Sequence, residues 1–161
     1  MTKSLTMLLL ASLAGCAAGN AEGNKAIARR AFAEILSQGH FERTSELYAP
    51  DFVNHGLHRD GTLAEDQAAA RGWKQAFPDL AYRLDLLVAE DDKVAAVWVG
   101  SGTNTGEGNG LPATGRKGEL RGITVWRIAG GLIHEEWTEY DGSQIAKQVG
   151  LSPAAGGAAA R

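Results

Sequence analysis

Four segments in the second half of the chain constrain the fold most, because each is rich in β-branched and aromatic residues and is bounded by turn residues. The pattern predicts strands over 81–89, 93–103, 120–129 and 132–140. The connections between them are Asp91-Asp92, a glycine-rich loop and Gly130-Gly131. Consecutive strands joined by short turns are most simply antiparallel. The sequence therefore predicts one antiparallel sheet.

The first half of the chain has helical periodicity instead. Apolar residues at helical spacing over 26–36 predict an amphipathic helix that ends at Gly39. A short second helix is predicted over 41–48, and a brief strand over 52–55 is followed by a turn at 59–61. Thr62, with Glu65 three positions later, has the pattern of a capping box and predicts a third helix that ends before Pro78.

Helices followed by a run of strands indicate an α+β domain, in which a curved sheet packs around the helices and leaves a cavity at its mouth. The chain has 161 residues, which suffices for one domain with a core around a small-molecule cavity. Its 16 basic and 19 acidic residues give a net charge of −3. Nucleic acid is not an expected partner, because binding phosphates requires a basic face.

The N-terminus has the features of an export signal over 1–15, with Lys3 before an apolar segment and two small residues. That segment is too short to span a membrane. Leu13-Ala14-Gly15-Cys16 resembles a bacterial lipoprotein box, which predicts cleavage before Cys16, lipid on its thiol and a location at the cell envelope, on the periplasmic or outer-membrane side. The alternative is a free or buried thiol after an ordinary signal peptide. We expect a tether over 16–24, a folded domain over 25–151 and a disordered tail over 152–161.

Other chemistry has weak support in the sequence. The segment 110–117 has the glycine spacing of a P-loop, but Arg116 stands where the motif requires lysine. His55 and His58, with two aspartates nearby, match no named metal-binding spacing, so no metal is predicted. No serine or cysteine has the surroundings of a catalytic nucleophile. No cofactor is expected.

The last predicted strand offers a carboxylate for proton transfer. If no bulge intervenes, Ile133, Trp137 and Asp141 share one face of the strand, and that face is the more plausible inward one. Trp137 would then partly exclude water from Asp141 and raise its pKa, which would make the carboxylate a better proton acceptor near neutral pH. A turn-forming Asp-Gly pair at 141–142 is the alternative.

Six short segments together resemble the SnoaL-like polyketide cyclase (ester cyclase) family over residues 25–151. These segments are Phe77-Pro78-Asp79-Leu80, Asp92-Lys93-Val94-Ala95, the stretch 102–107, Pro112-Ala113-Thr114-Gly115-Arg116, the stretch from Gly131 to Asp141, and Gln148-Val149-Gly150. The resemblance implies the cone-shaped α+β fold of the nuclear transport factor 2-like superfamily. It also implies a homodimer formed through the outer sheet face, to which Val97, Val99, Ile123 and Val125 or their opposite neighbours would contribute.

The resemblance further implies cofactor-free acid–base catalysis, by aldol cyclisation, isomerisation or a related proton transfer on a small apolar carbonyl compound. Asp141 matches the family's catalytic aspartate, and His55 is the second candidate catalytic residue. Asn104 stands where the family commonly has histidine, so this position cannot relay protons near neutral pH. The candidate substrate-binding residues are Asn54, Trp98, Asn104, Arg127 and Trp137.

Alternatives remain for several of these residues. His55 could equally be a structural histidine, Arg127 a solvated strand residue and Trp98 a core residue. The whole domain could also be a non-catalytic module that binds a ligand or a protein at the cell envelope, because a fold does not decide between the two uses.

Overall fold

A computed structural model describes residues 12–56 and 58–151, with the backbone alone for 12–20. Its centre is one six-stranded sheet in the order β2-β1-β6-β5-β4-β3. All neighbouring strands are antiparallel except β1 and β6, which are parallel. The strands are β1 (Tyr48–His55), β2 (Asp60–Thr62), β3 (Ala81–Glu90), β4 (Lys93–Thr103), β5 (Lys117–Ala129) and β6 (Leu132–Tyr140).

The helices pack on one face of this sheet. α1 (Ser12–Arg30) continues into a π-helical segment, Ala31–Ser37, and a 3-10 helix, Phe41–Glu46, follows. α2 (Leu63–Ala76) begins at the predicted capping box, in which the Thr62 backbone N–H donates to Glu65 Oε2 at 2.8 Å and the Glu65 N–H donates to Thr62 Oγ1 at 3.4 Å. α3 (Gly142–Gln148) follows the last strand. The predicted α+β fold is confirmed.

The main core lies between the first helices and the inner sheet face. The ring of Phe32 lies 5.0 Å from Trp126 and 5.6 Å from Tyr82, measured between centroids. A second, smaller cluster joins the end of α2 to α3 through Phe77, Leu80, Ile145 and Val149, with Ala76 beneath them. The main core also contacts α2 through Leu63 and Ala70, so α2 packs against both clusters.

Three predictions about local structure need correction. The predicted helix over 41–48 is a 3-10 helix that ends at Glu46, because Tyr48 already pairs with Ile133 of β6. The turn at 59–61 is instead the start of β2, in which Asp60 pairs with His55. The tether predicted over 16–24 belongs to α1, and Asn24 is buried.

Residues 1–11 and 152–161, which hold most of the predicted signal segment and the tail, lie outside the described residues. The side chain of Cys16 does as well. Within the described part of the chain, no helix is both long enough and apolar enough to cross a membrane.

A bulge near the start of β6 decides which of its side chains point inward. Arg127 of β5 pairs with Glu135, whereas the next residue, Ile128, pairs with Ile133, so His134 is an extra residue in β6. The bulge shifts the alternation of side chains by one position. Ile133 and Glu136 are accordingly both buried, while Trp137 is exposed.

Candidate active site

A small, partly open cavity lies between α2, α3 and the inner face of the sheet. Its walls are mostly aromatic and aliphatic, and it is lined by Trp73, Phe77, Leu80, Tyr82, Trp98, Gly100, Gly102, Gly118, Leu120, Tyr140 and Ile145. A mostly apolar lining with a few polar groups is typical of small-molecule sites. The glycines on β4 and β5 allow close packing of the walls, since a Cβ at Gly118 would lie 2.4 Å from the Ile145 side chain.

The aromatic walls contact one another around Tyr140. Its ring centroid lies 6.1 Å from that of Trp98 and 6.3 Å from that of Trp73, and Tyr82 packs edge-on against Trp98 at 5.3 Å. These rings present flat apolar surface with few rotatable bonds, which suits an apolar or aromatic ligand. The hydroxyl group of Tyr140 supplies hydrogen-bonding capacity at this wall.

Two carboxyl groups meet beyond the cavity wall, one on β6 and one on α2. Glu136 is 8% exposed, and Asp66 is partly buried. Asn54 of β1 joins them, since its Nδ2 donates to Asp66 Oδ1 at 2.8 Å and lies 3.4 Å from Glu136 Oε1. Glu136 also accepts hydrogen bonds from Trp126 Nε1 to Oε2 and from Thr138 Oγ1 to Oε1, each 2.7 Å long.

The environment of this pair favours a retained proton. Burial, together with the charge of Asp66, raises the pKa of Glu136 to about 8, although the hydrogen bonds from Trp126 and Thr138 oppose the rise. Burial also raises the pKa of Asp66, and the hydrogen bond from Asn54 opposes this. Among the described residues, no basic side chain forms an ion pair with either group. The pair therefore holds one proton between its two members near neutral pH.

Two rows of side chains connect the carboxyl pair with the cavity. On α2, Asp66 and Trp73 lie seven residues apart and so share one face of the helix. On β6, Glu136, Thr138 and Tyr140 share the inward face. Asp66 and Thr138 keep partial exposure. Burial is the largest cause that raises the pKa of Tyr140, and the charges of Glu136 and Asp66 raise it further. The tyrosine hydroxyl therefore lies within the electrostatic range of the pair.

Asp141 does not have the surroundings predicted for it. Its exposed carboxylate caps α3, accepting hydrogen bonds from the Ser143 backbone N–H at 3.0 Å and the Ser143 hydroxyl at 2.7 Å. Hydrogen bonds from Ser143 and Gln144 lower the pKa of Asp141. The predicted rise of this pKa through Trp137 is wrong, because the bulge at His134 turns Trp137 to the outer face of the sheet. Asp141 is the N-cap residue of α3, and Gly142 is the first residue of that helix rather than part of a turn.

His55, Arg127 and Trp137 lie together on the outer face, away from the cavity. The His55 ring stacks on Trp137 with centroids 4.5 Å apart, and its Nε2 is 2.8 Å from Glu135 Oε2. The hydrogen bond to Glu135 raises the pKa of His55. Arg127 forms an ion pair with Glu135 as well. Placing these three residues at an internal substrate site is therefore wrong, and they form an outer-surface cluster instead.

Asn104 organises the glycine-rich loop and does not line the cavity. It is completely buried, and its Nδ2 donates to the carbonyl groups of Ala76 and Gly106 at 3.1 and 3.0 Å. Its Oδ1 accepts hydrogen bonds from the backbone N–H and the hydroxyl of Thr114. These contacts hold the loop against the end of α2. The predicted role in substrate binding is corrected to a structural one.

Trp98 lies in the cavity wall and Asn54 lies at the carboxyl pair, so both are placed where they could serve a ligand or the acid–base groups. Ligand binding by these two residues stays a prediction. Sequence reasoning missed Asp66 and Glu136. A signal for Asp66 was available, because it is a carboxylate on the same helical face as Trp73. No signal for Glu136 was available in the sequence, because its inward orientation depends on the bulge in β6.

The described residues contain no group of three or more histidine, cysteine, aspartate or glutamate side chains that could hold a metal ion.

Comparison with known proteins identifies the SnoaL-like polyketide cyclase family as matching residues 26–149. Among solved structures, TsrD from Streptomyces laurentii has 26% identity over 81% of this chain and 97% of its own, with a TM-score of 0.72. IdmH from Streptomyces antibioticus has 26% identity over 80% and 99%, with a TM-score of 0.69. AclR from Streptomyces galilaeus has 22% identity over 83% and 84%, with a TM-score of 0.74. No protein of curated function matched the sequence.

Proposed function

Because the chain belongs to the SnoaL-like polyketide cyclase family, we propose that it is a cofactor-independent enzyme of the cyclase or isomerase type. Its substrate is a small apolar carbonyl compound that binds in the aromatic cavity. The observation that carries the proposal is the pair of Glu136 and Asp66, two carboxyl groups bridged by Asn54 and left without a basic partner in the described structure. They lie on the same faces of β6 and α2 as the cavity residues Tyr140 and Trp73.

The two carboxyl groups are suited to different roles. Asp66 is the more exposed and accepts a hydrogen bond from Asn54, so it is the member that more readily carries the negative charge. We assign it as the base that removes a proton from carbon next to a carbonyl group. Glu136, whose pKa is about 8, keeps its proton near neutral pH and serves as the acid. Environments that separate two pKa values in this way are typical of acid–base pairs.

Tyr140 is placed to stabilise the enolate oxygen that forms when the proton is removed. Tyr140 lines the cavity, and the charges of Glu136 and Asp66 contribute to raising the pKa of its hydroxyl. Hydrogen-bond donors that meet developing charge in a site with little water contribute strongly to catalysis. The proton taken from carbon then returns to carbon in an isomerisation, or passes to the new alkoxide in an aldol cyclisation.

Exchange of carbon-bound hydrogen tests this proposal without knowledge of the natural substrate. We expect the protein to accelerate the exchange of the α-hydrogens of 2-tetralone in deuterium oxide, measured by proton NMR against buffer alone. Asp66→Asn and Glu136→Gln should each slow the catalysed exchange by about 10²–10⁴-fold, the usual contribution of a positioned acid or base. Glu139→Gln, which changes an exposed carboxylate on the outer face of β6, is the matched control.

Two results would overturn the assignment. Unchanged exchange in both variants would remove the carboxyl pair from the mechanism. Binding of 2-tetralone without exchange above the buffer rate would favour the other candidate function, a non-catalytic module that holds an apolar ligand. The aromatic lining of the cavity suits that role equally.

Anchoring at the cell envelope is part of the proposal and rests on the sequence Leu13-Ala14-Gly15-Cys16. Cys16 is the only cysteine in the chain, so lipid attachment can be tested by one substitution. The full chain expressed in a bacterium with a lipoprotein pathway should incorporate labelled palmitate and sediment with membranes. Cys16→Ser should do neither. Membrane retention of Cys16→Ser would contradict lipid anchoring.

A homodimer is also proposed, with the outer sheet face as the interface. Leu86, Val88 and Ile123 are each about half exposed there, and Trp137 is 37% exposed. Pairing of β3 with β4 and of β4 with β5 places Leu86, Val97 and Ile123 side by side across three strands. Light scattering should give the mass of two chains, and Ile123→Glu should give one. A monomeric wild-type protein at micromolar concentration would refute the dimer.

A further inference from the structure

A chain of hydrogen bonds connects the cavity wall to Glu136 across three strands. Trp98 Nε1 on β4 donates to Thr124 Oγ1 on β5 at 3.0 Å. The hydroxyl oxygens of Thr124 and Thr138 are 2.7 Å apart, and Thr138 Oγ1 on β6 donates to Glu136 Oε1 at 2.7 Å. Trp98 and Thr124 are buried, so water competes little for these groups.

The direction of each bond in this chain follows from its two ends, an indole N–H that can only donate and an ionised carboxylate that can only accept. Thr124 accepts from Trp98 and can still either donate to or accept from Thr138. While Glu136 is ionised, Thr138 donates its single hydrogen to Glu136, so Thr124 donates to Thr138. Each hydroxyl hydrogen points from the cavity towards the carboxylate. A hydrogen bond to a charged group is stronger than one between neutral groups, so the chain favours the ionised form of Glu136.

Protonation of Glu136 disturbs this arrangement at either oxygen. Oε2 faces the N–H of Trp126, which cannot accept a hydrogen bond. A proton on Oε1 requires Thr138 to turn from donor to acceptor. Thr138 then either donates to Thr124, whose own hydrogen loses its partner, or keeps accepting from Thr124 and leaves its own hydrogen without one. The two threonines therefore oppose protonation, whereas burial and the charge of Asp66 favour it.

We propose that Thr124 and Thr138 are positioning residues that keep the protonation equilibrium of Glu136 within the working range of an acid–base catalyst and tie it to the position of Trp98. This inference rests on the proposed function of Glu136. A ligand that shifts the Trp98 indole away from Thr124 would weaken the chain of hydrogen bonds and raise the pKa of Glu136. Substrate binding would thereby favour the protonated form of Glu136, which is the form that acts as the acid.

The other titratable groups that face Glu136 do not account for the same effect. They are Asp66 on α2, Tyr48 on β1, Tyr82 on β3 and Tyr140 on β6. Burial raises the pKa of all three tyrosines, so these phenols stay neutral while Glu136 titrates. Of these groups only Asp66 carries a charge, and it is hydrogen-bonded to Asn54 rather than to the threonine chain.

Carbon-13 NMR titration of the glutamate carboxyl groups tests the inference directly, with the Glu136 signal assigned from Glu136→Gln. Thr138→Val keeps the shape of the side chain and removes the hydroxyl, so the titration midpoint of Glu136 should rise by about one pH unit or more. Thr124→Val should raise it less, because Thr138 can still donate. Thr138→Ser, which restores a hydroxyl, should return the midpoint to near the wild-type value.

Ser101→Ala removes an exposed hydroxyl from β4 and should leave the midpoint unchanged. An unchanged midpoint in Thr138→Val, or equal changes in Thr138→Val and Thr138→Ser, would overturn the inference. Thr124→Val supplies a second test should Thr138→Val fold poorly. The titration needs no substrate, so it decides the role of the threonines even if the exchange assay refutes the catalytic role of Glu136.

Discussion

The pH dependence of the free energy of unfolding should report the burial of Glu136. A buried carboxyl group with a raised pKa destabilises the folded state at pH values where it ionises. The pKa of Glu136 rises from an ordinary value of 4.5 to about 8 in the folded protein. Between those two pH values the folded state keeps a proton that the unfolded state has released. The free energy of unfolding therefore falls as pH rises through this range, and the loss is complete above pH 8.

The size of the effect follows from the difference between the two pKa values. At 1.36 kcal/mol per pH unit, a rise from 4.5 to about 8 corresponds to at most roughly 5 kcal/mol. This is a large fraction of the stability of a typical domain, which is about 5–15 kcal/mol. Glu136→Gln removes the ionisable group and keeps the shape of the side chain. The amide oxygen can still accept a hydrogen bond from Trp126, and the amide nitrogen can donate to Thr138 once the Thr138 hydroxyl rotates to accept.

Urea unfolding at pH 5, 6, 7, 8 and 9 measures the prediction. Wild type and Glu136→Gln should differ by no more than about 1 kcal/mol at pH 5, the scale of one altered hydrogen bond. The variant should become the more stable protein by several kcal/mol at pH 8–9. Glu139→Gln should follow the wild type at every pH, because Glu139 is exposed. Parallel curves for the wild type and Glu136→Gln would refute the account of a buried, proton-retaining glutamate.

Three further expectations follow from the site and its support. Asp141→Asn should keep the exchange activity within about twofold of wild type, because Asp141 caps α3 outside the cavity; a loss on the scale expected for Glu136→Gln would restore Asp141 as the catalytic carboxylate. Gly122→Ala should destabilise the protein by about 1–3 kcal/mol in urea unfolding, since its Cβ would lie 2.2 Å from the Trp98 ring, whereas Gly23→Ala meets no atom within 4 Å and should not destabilise it. 2-Naphthol should bind more tightly in calorimetry than 2-naphthoate, because the carboxyl pair lacks a basic partner and repels an anion; equal affinities would contradict that charge balance.

The sequence predicted the fold well because its signals were local. Strand periodicity located β3 to β6, and Thr62 with Glu65 located the start of α2. Short turns between the predicted strands also gave their antiparallel order. The parallel pairing of β1 with β6 had no comparable signal, because it joins residues about 80 positions apart in the chain.

The candidate site was predicted less well, and the reason is the bulge at His134. Strict alternation from Ile133 leads to Trp137 and Asp141 as inward residues, whereas one extra residue makes Glu136 and Tyr140 inward instead. A bulge of this kind has no necessary signature in a single sequence, since it depends on the pairing of β6 with β5. Every error about the last strand follows from that one position.

The same bulge explains how a glutamate can occupy the core. It places the carboxyl group of Glu136 between a Trp126 N–H and a Thr138 hydroxyl, so both oxygens have donors before any ligand binds. A buried carboxyl group without such donors would be held permanently protonated, and one with a basic partner would be held permanently ionised. Glu136 has donors but no basic partner among the described residues, so its proton remains exchangeable. Packing alone would favour an apolar residue at this position, so the proposed proton transfer would explain why it is a glutamate.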